Sequence, residues 1–236
     1  MASKKIIIGI EFNNRSTRGD VYKVGLTEKW IKYRIGIFMK YTLKSLKKQT
    51  NQNFTALIRY TESTESIIKE ILQKHKKLPE NIQFVPEGEY IATQKKLIGD
   101  AKYLYLVRLD CDDTYSKTFI QQLHDYKPKE GTRALVNQSG YIYDSLRHRI
   151  ATVKKSSPPF FTWIYKSANY IRGLRYKTKD GHSGVTKHKH EILTKNGKRN
   201  YMVVVHSRNT LNQRLLANKN FVKNRSKVNA ILKKFI

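Results

Sequence analysis

The chain has 236 residues, of which 47 are lysine or arginine and 18 are aspartate or glutamate, so its formal net charge is +29. Such a charge predicts an anionic partner: nucleic acid, an acidic membrane surface, a polyanionic glycan or a phosphorylated substrate. The hydrophobic content of 39% suffices for a folded core, and the single cysteine, Cys111, excludes an intrachain disulfide and a multi-cysteine zinc site. The apolar run 6–10 is too short for a signal-peptide core or a membrane span. We therefore expect a soluble, cytoplasmic protein.

In the first half of the chain, apolar runs that predict strands alternate with stretches of helical periodicity. The predicted strands are residues 6–12, 54–60, 82–85 and 103–109, and the helices between them are residues 30–48, 67–72 and 90–98. A further helix is expected after Ser116, which can cap it. An alternation of this kind implies right-handed crossovers and a mainly parallel sheet.

Beyond Pro128 the pattern changes to short strands at hairpin spacing. The predicted strands are residues 133–137, 141–144, 149–153 and a late strand, 201–205, that ends in His206. The aromatic segment 158–163 is interpreted either as core or as a wall against a sugar or lipid acceptor. The tail 220–236 predicts a basic amphipathic helix, which would either pack on its own domain or lie on an anionic membrane surface.

Three carboxylates follow the strand 103–109 within four residues, namely Asp110, Asp112 and Asp113. Because alternate residues of an extended chain point to the same side, Asp110 and Asp112 can present two carboxylates together. Carboxylate oxygens are the ligands that Mg²⁺ or Mn²⁺ prefers, and ligands of open α/β sheets bind at the carboxyl ends of the strands. The alternative is a solvated acidic turn that ends a buried strand.

Two stretches of sequence carry a family resemblance. The string RIGIFMKYTLKSLKKQTNQNFTALI, residues 34–58, resembles the early helix and second strand of GT-A glycosyltransferases. The string YLYLVRLDCDDTYSKTFIQQL, residues 103–123, resembles their Asp-x-Asp strand and the following helix. Within that fold the chain is most similar to the rhamnosyltransferase group of family-2-like enzymes, and the similarity extends over roughly the first half of the chain.

The resemblance implies an α/β fold of the GT-A type. A mainly parallel, Rossmann-like sheet with β-α repeats would be followed by a smaller mixed acceptor-side region and a C-terminal basic helix. The implied division is a nucleotide-sugar-binding half with the Asp-x-Asp motif at residues 1–127, an acceptor-side half of the same domain at 128–219, and the basic helix at 220–236.

The resemblance also implies contacts to a nucleotide-sugar donor and to a cation, Mn²⁺ or Mg²⁺. Expected donor contacts are Phe12, Asn13, Arg15, Glu62, Arg108, Asp110, Asp112 and Asp113. Expected metal ligands are Asp110, Asp112, Asp113 and His206. The alternative for His206 is a hydrogen-bonded histidine at a strand end. Many relatives hold the nucleobase with an acidic pair after the second strand, whereas this chain reads Arg59-Tyr60-Thr61-Glu62, so Glu62 and Glu65 become candidates for that role.

An inverting transferase needs a general base that deprotonates the acceptor hydroxyl. In the family this is an acidic residue of the second half, and the candidates here are Asp144, Asp180 and Glu191. Asp180, in the loop KDGHSG, is preferred, and its alternative is a turn aspartate before a glycine. A zinc site on His182, His188 and His190 is the competing interpretation for the histidines of this region, although their spacing lacks a usual completing ligand.

Two functions of different class stay open at this point. The favoured one is a metal-dependent glycosyltransferase that moves a hexosyl or rhamnosyl group from a UDP- or dTDP-sugar to a glycan, lipid-linked or polyanionic acceptor, as in bacterial-type polysaccharide synthesis. Such an enzyme would be cytoplasmic, with the inner face of an anionic membrane as a further partner. The alternative is a basic nucleic-acid-binding protein without catalytic activity, which the charge alone suggests. Clustered aspartates would repel nucleic-acid phosphates, which favours the enzyme.

Overall fold

The computed structural model describes residues 3–13, 20–179, 181–194, 197–209 and 212–236. Its strands are β1 (Lys4–Glu11), β2 (Thr55–Tyr60), β3 (Ile82–Pro86), β4 (Tyr103–Asp110), β5 (Thr114–Tyr115), β6 (Ala134–Val136), β7 (Ser139–Asp144), β8 (Arg149–Lys154), β9 (Phe161–Lys166), β10 (His190–Ile192) and β11 (Tyr201–Val205). Its helices are α1 (Asp20–Gly25), α2 (Glu28–Lys40), α3 (Thr42–Lys47), α4 (Glu65–Gln73), α5 (Tyr90–Ile98), α6 (Phe119–Asp125), α7 (Ser167–Ile171) and α8 (Arg225–Leu232).

The chain divides into two compact units. Unit one comprises Met1–Lys40, Gln52–Cys111 and Thr162–Lys177, and unit two comprises Tyr41–Asn51, Asp112–Phe161 and Thr178–Ile236. Each unit is therefore assembled from separate stretches of sequence. The functional division at residues 127 and 219 stays a prediction.

Unit one is built on a sheet with the strand order β9-β4-β1-β2-β3. The strands β3, β2, β1 and β4 run parallel, whereas β9 is antiparallel to β4. The central strand β1 buries Ile6, Ile7, Ile8 and Ile10, whose side chains point to both faces of the sheet, as expected for a strand covered on both faces. The prediction of a mainly parallel α/β sheet is confirmed.

The predicted helix 30–48 is wrong in one respect, because the structure has two helices there. α2 buries Ile31, Ile35 and Phe38 in unit one, and α3 begins after Tyr41 and belongs to unit two. The hydroxyls of Thr42 and Ser45 donate to backbone carbonyls of residues 113 and 115, at 2.9 Å and 2.8 Å. These bonds fix α3 to the segment after β4 and explain why the helical periodicity does not continue as one rod.

Unit two contains a four-stranded sheet with the order β5-β11-β7-β8, and it also contains the parallel strands β6 and β10. β11 is parallel to β7 and antiparallel to the two-residue strand β5, and all five of its residues are buried. Phe160 is also buried and its ring stacks on Tyr201 with centroids 3.9 Å apart. The start of the segment 158–163 is therefore core of this unit.

The tail forms α8, which covers eight residues of the predicted range 220–236. Val228 and Phe235 are buried, and the ring of Phe235 meets that of Tyr141 edge-on at 5.9 Å. The tail thus packs on its own unit, and its outer face carries exposed basic residues. No helix in the described ranges is long and apolar enough to cross a bilayer.

We expect Phe235→Ala to lower the free energy of unfolding by about 3 kcal/mol, because it removes a fully buried aromatic ring. The exposed neighbour Lys233 supplies the control, and Lys233→Ala should change stability by less than about 0.5 kcal/mol. Urea denaturation followed by circular dichroism measures both. Equal midpoints for the two variants would contradict the packed tail.

Candidate functional site

The carboxyl edge of the sheet in unit one carries both acidic and basic side chains. The parallel register places Glu11 beside Arg59 on one neighbouring strand and beside Asp110 on the other. Arg59 Nη2 lies 2.6 Å from Glu11 Oε1, and Arg108 Nη2 lies 2.8 Å from Asp110 Oδ1. Desolvation raises the pKa of Glu11, and this effect exceeds the lowering by Arg59. This edge is where open α/β sheets bind ligands.

Phe12 and Asn13 follow β1 directly, at this edge of the sheet. The side chain of Asn13 is buried, and its Nδ2 donates to the carbonyl of Gly25 and to the hydroxyl of Thr64, each at 3.1 Å. Its Oδ1 accepts the backbone N–H of Thr61 at 3.1 Å. The amide thus joins the loops after β1 and β2. Its hydrogen bonds give it a supporting role at a donor site, in which it holds these loops in place.

Phe12 is buried against two aromatic rings. Its ring lies edge-on to Trp30 at 5.5 Å and to Phe84 at 5.6 Å between centroids. Glu62 Oε1 accepts the backbone N–H of Gly88 at 2.5 Å and so joins the loops after β2 and β3. The predicted donor contacts of Phe12, Asn13 and Glu62 stay predictions, and Arg15 lies outside the described residues.

Arg34 is a cation at the end of β4 that the sequence-based reasoning did not select. Its Nε donates to Cys111 Sγ at 2.8 Å, and its guanidinium lies over the ring of Trp30 at 5.7 Å. The available signal was the spacing of four residues between Trp30 and Arg34 on α2, which places both side chains on one helix face. A guanidinium held at a strand end is suited to binding phosphate oxygens.

In unit two the structure brings Asp112 and His206 together. Both side chains are buried, and His206 Nε2 lies 3.2 Å from Asp112 Oδ2. The predicted pairing of an early carboxylate with a late histidine is therefore present in the structure. Its role as a set of metal ligands stays a prediction.

The strand pairing of β5 with β11 explains this arrangement. Tyr115 pairs with Tyr201 and Thr114 with Met202, so the chain before β5 continues alongside the end of β11. Beyond the two paired residues, Asp113 Oδ1 accepts the backbone N–H of Val204 at 2.9 Å, so a side-chain hydrogen bond continues the contact between this segment and β11. Asp113 is thus committed to the backbone of β11, while Asp112 faces His206.

Asn209 completes the cluster, and sequence reasoning missed it. Its Nδ2 donates to Asp112 Oδ2 at 3.1 Å, and its Oδ1 accepts the backbone N–H of His206. Its own N–H donates to the His206 carbonyl at 3.1 Å, which closes a turn after β11. The weak signal was an asparagine three residues after a predicted strand end, a position typical of turn residues.

The donor set of Asp112 and His206, one carboxylate and one imidazole, suits a divalent cation such as Mn²⁺. Within the described ranges, no group of three or more His, Cys, Asp or Glu side chains is arranged to hold a metal ion. Two protein ligands fit a site in which a diphosphate supplies further oxygens, as is common for Mg²⁺. The pair therefore fits a cation that binds together with a phosphorylated ligand.

Glu191 is saturated by three donors. Oε1 accepts from Thr132 Oγ1 at 2.6 Å and from Lys129 N at 2.8 Å, and Oε2 accepts from Tyr126 Oη at 2.9 Å. Burial raises the pKa of Glu191, but the hydrogen bonds from these three residues together lower it below its ordinary value. As a general base it would have to break these bonds, so its catalytic role stays a prediction that this geometry does not favour.

The remaining base candidates differ in position. Asp144 is fully buried at the end of β7, where its carboxylate accepts from the backbone N–H groups of Leu146 and Arg147 and from Arg149 Nε. It therefore holds the β7–β8 hairpin. Asp180 lies outside the described residues.

A family model described as "Putative rhamnosyl transferase" matches residues 17–207, which include both the strand β4 with its aspartates and the strand β11 with His206. The chain belongs to this family. This match confirms the predicted similarity to the rhamnosyltransferase group of GT-A glycosyltransferases. Among curated proteins, none matches the chain significantly.

Solved structures that are similar to this family member share little sequence with it. S. aureus TarS 1-349 is 12% identical, with 85% of this chain and 60% of that chain covered, at a TM-score of 0.41. The same protein in complex with UDP is 13% identical, with the same shares covered and the same TM-score. A 4-diphosphocytidyl-2C-methyl-D-erythritol synthase from Anaerococcus prevotii is 14% identical, with 98% and 96% covered, at 0.40. The chain spans 60% and 42% of the lengths of the first TarS structures that it matches, and at these TM-scores none of the likenesses informs the site.

The three hydrogen bonds to Glu191 predict a pH-dependent contribution to stability. Because its pKa is lower in the folded than in the unfolded chain, the carboxylate stabilises the fold above its ordinary pKa of about 4.3, and this is lost as the pH falls through the folded value. Glu191→Gln should therefore be less stable than wild type at pH 7, by about 1 kcal/mol or less, and the difference should vanish towards pH 3. Denaturation across pH measures it, with the exposed Glu130→Gln as control. A difference that does not change with pH would contradict this role.

Coupling between Asn209 and Asp112 can be measured by a double-mutant cycle. We expect Asn209→Ala and Asp112→Ala to be non-additive by about 1 kcal/mol in stability, because the two side chains share a buried hydrogen bond. Asn229→Ala, at an exposed asparagine, should be additive with Asp112→Ala. Additivity of both pairs would show that Asn209 does not position the carboxylate.

Proposed function

We propose that this protein is a metal-dependent glycosyltransferase that moves a rhamnosyl or other hexosyl group from a nucleoside diphosphate sugar, of the UDP or dTDP type, to a glycan, lipid-linked or polyanionic acceptor. The observation that carries the proposal is the family match over residues 17–207 combined with the buried Asp112–His206 pair inside it. The nucleic-acid-binding alternative rests on charge alone, and the family match favours the transferase.

Asp112 and His206 would hold the cation, Mn²⁺ or Mg²⁺. When bound, the cation acts as a Lewis acid that stabilises the negative charge developing on the departing nucleoside diphosphate. Asn209 keeps Asp112 oriented by donating to Oδ2. The buried position of both side chains strengthens their electrostatic effect, since the local dielectric constant is low.

The cations of unit one would bind the phosphate charge of the donor. Arg108 is held by Asp110, and Arg34 is held by Cys111 and Trp30, so both guanidinium groups are oriented before a ligand arrives. A preorganised cation stabilises a transition state without a cost of reorganisation at the moment of reaction. The roles of Asp110, Asp113 and Arg15 towards the donor, and that of Asp180 as general base, belong to the proposal.

The test is a thermal-shift screen of UDP-, dTDP- and GDP-sugars and of the corresponding diphosphates, each with and without Mn²⁺. A ligand at 100 times its dissociation constant stabilises a protein by about 2.7 kcal/mol, so binding is visible as a shift of the melting temperature. Asp112→Asn should abolish the Mn²⁺-dependent part of the shift while the unliganded melting temperature changes little, and His206→Ala should weaken it. The exposed Asp125→Asn is the control.

Two outcomes would contradict the proposal. If no nucleotide shifts the melting temperature of the wild type, the transferase function is wrong. If a nucleotide shifts it and Asp112→Asn leaves the Mn²⁺ dependence unchanged, the metal assignment alone is wrong. Transfer of labelled sugar from the donor selected by the screen then measures activity directly.

A further inference from the structure

The turn between β7 and β8 holds an aliphatic side chain out into solvent. Leu146 is 62% exposed, and the side chain of its neighbour Arg147 is 70% exposed. The turn is not loose, because Asp144 Oδ1 accepts the N–H groups of both residues at 3.2 Å and Asp144 Oδ2 accepts from Arg149 at 2.8 Å. The exposed position of Leu146 is therefore set by buried hydrogen bonds.

The segment before α8 lies along the same edge of the four-stranded sheet. Val222 forms two backbone hydrogen bonds with Ile150 of β8, at 2.8 Å and 3.1 Å, and its side chain is 37% exposed. His148 of the turn reaches Asn229 of α8, with 3.1 Å between Nε2 and Oδ1. These contacts place the turn and the start of α8 on one edge. We call the exposed residues there the edge patch: Leu146, Arg147, Val222, Lys223 and Arg225.

The edge patch combines two aliphatic side chains with three cations. The sequence adds to this charge, because residues 192–236 contain eleven lysines and arginines and no aspartate or glutamate. The carboxylate of Asp144 in the turn is fully buried and accepts from three donors, and its one contact with a cation of the patch is a long ion pair, with Arg147 Nη1 3.8 Å from Oδ2. An exposed positive surface of this kind fits an anionic partner.

We propose that the edge patch docks the protein on an anionic lipid surface, with Leu146 and Val222 entering the boundary between headgroups and acyl chains. Each basic residue near such a surface favours binding by a factor of about five, and an exposed aliphatic side chain gains by leaving water. A single-stranded nucleic acid would need exposed aromatic rings for base stacking, whereas Phe221 is half-buried, with the guanidinium of Arg149 4.1 Å from its ring centroid. A polyanionic glycan would need the cations but not the aliphatic pair. The docking surface does not depend on the transferase proposal.

The test uses the full chain and phosphatidylcholine vesicles with and without phosphatidylglycerol, in a sedimentation assay without nucleotide. We expect binding only to the anionic vesicles, with a steep loss as salt is added. Combining Arg147→Glu, Lys223→Glu and Arg225→Glu should lower the binding constant by more than about 100-fold. Leu146→Ser should lower it by about tenfold without changing its salt dependence.

The matched control makes the same change of charge in unit one, with Lys76→Glu, Lys77→Glu and Lys96→Glu combined at three exposed lysines. It should retain binding within about threefold, because none of these three lysines belongs to the edge patch. Equal losses in the control and the edge variant would overturn the proposal, as would binding of the wild type to neutral vesicles or to none. Binding of a labelled single-stranded RNA in place of vesicles would overturn it in favour of nucleic acid. If the triple variant does not fold, Leu146→Ser decides, because full vesicle binding by that variant contradicts the insertion.

Discussion

The hydrogen bond from the backbone N–H of Val204 to the carboxylate of Asp113 fixes the geometry on which the candidate metal centre depends. β5 has only two residues, and such a short pairing is weak by itself. The side chain of Asp113 adds one more link to β11, and Thr42 holds the carbonyl of the same residue from α3. Because its carboxylate is bonded to β11 and its carbonyl to α3, the position of Asp113 relative to β11 is fixed. Asp112 is then held where His206 and Asn209 reach it.

The distribution of charge follows from the cost of burying it. No lysine or arginine within the described ranges is among the buried residues, whereas Asp112, Asp113 and Asp144 are all buried. Each of these carboxylates accepts hydrogen bonds from backbone N–H groups or from side chains, as a buried charge requires. Three of the 18 acidic side chains are therefore buried. The excess of basic over acidic side chains at the surface is thus larger than the net charge of +29 indicates.

The sequence allowed the main strands to be predicted, because their apolar runs are long enough to identify. β11 lies where the pattern placed it, at residues 201–205, and His206 ends it. The contact of His206 with Asp112 depends on β5, which has no periodic signal at two residues, so only the family resemblance pointed to it. Asn209 acts through a turn and a partner 97 positions away. Likewise, the donors to Glu191 are 59 to 65 positions away, and no local pattern reveals that this carboxylate is saturated.

Buried amides, rather than ion pairs, join many of the loops. Asn13 connects the loops after β1 and β2, and Gln49 donates to the carbonyl of Ser116 and accepts from Ile120 N. Asn200 donates to Gln122 and Asn137 in the same way. An amide offers both donors and an acceptor and carries no charge, so it joins loops without the desolvation cost of an ion pair. Because an amide does not titrate, these particular hydrogen bonds are kept when the pH changes.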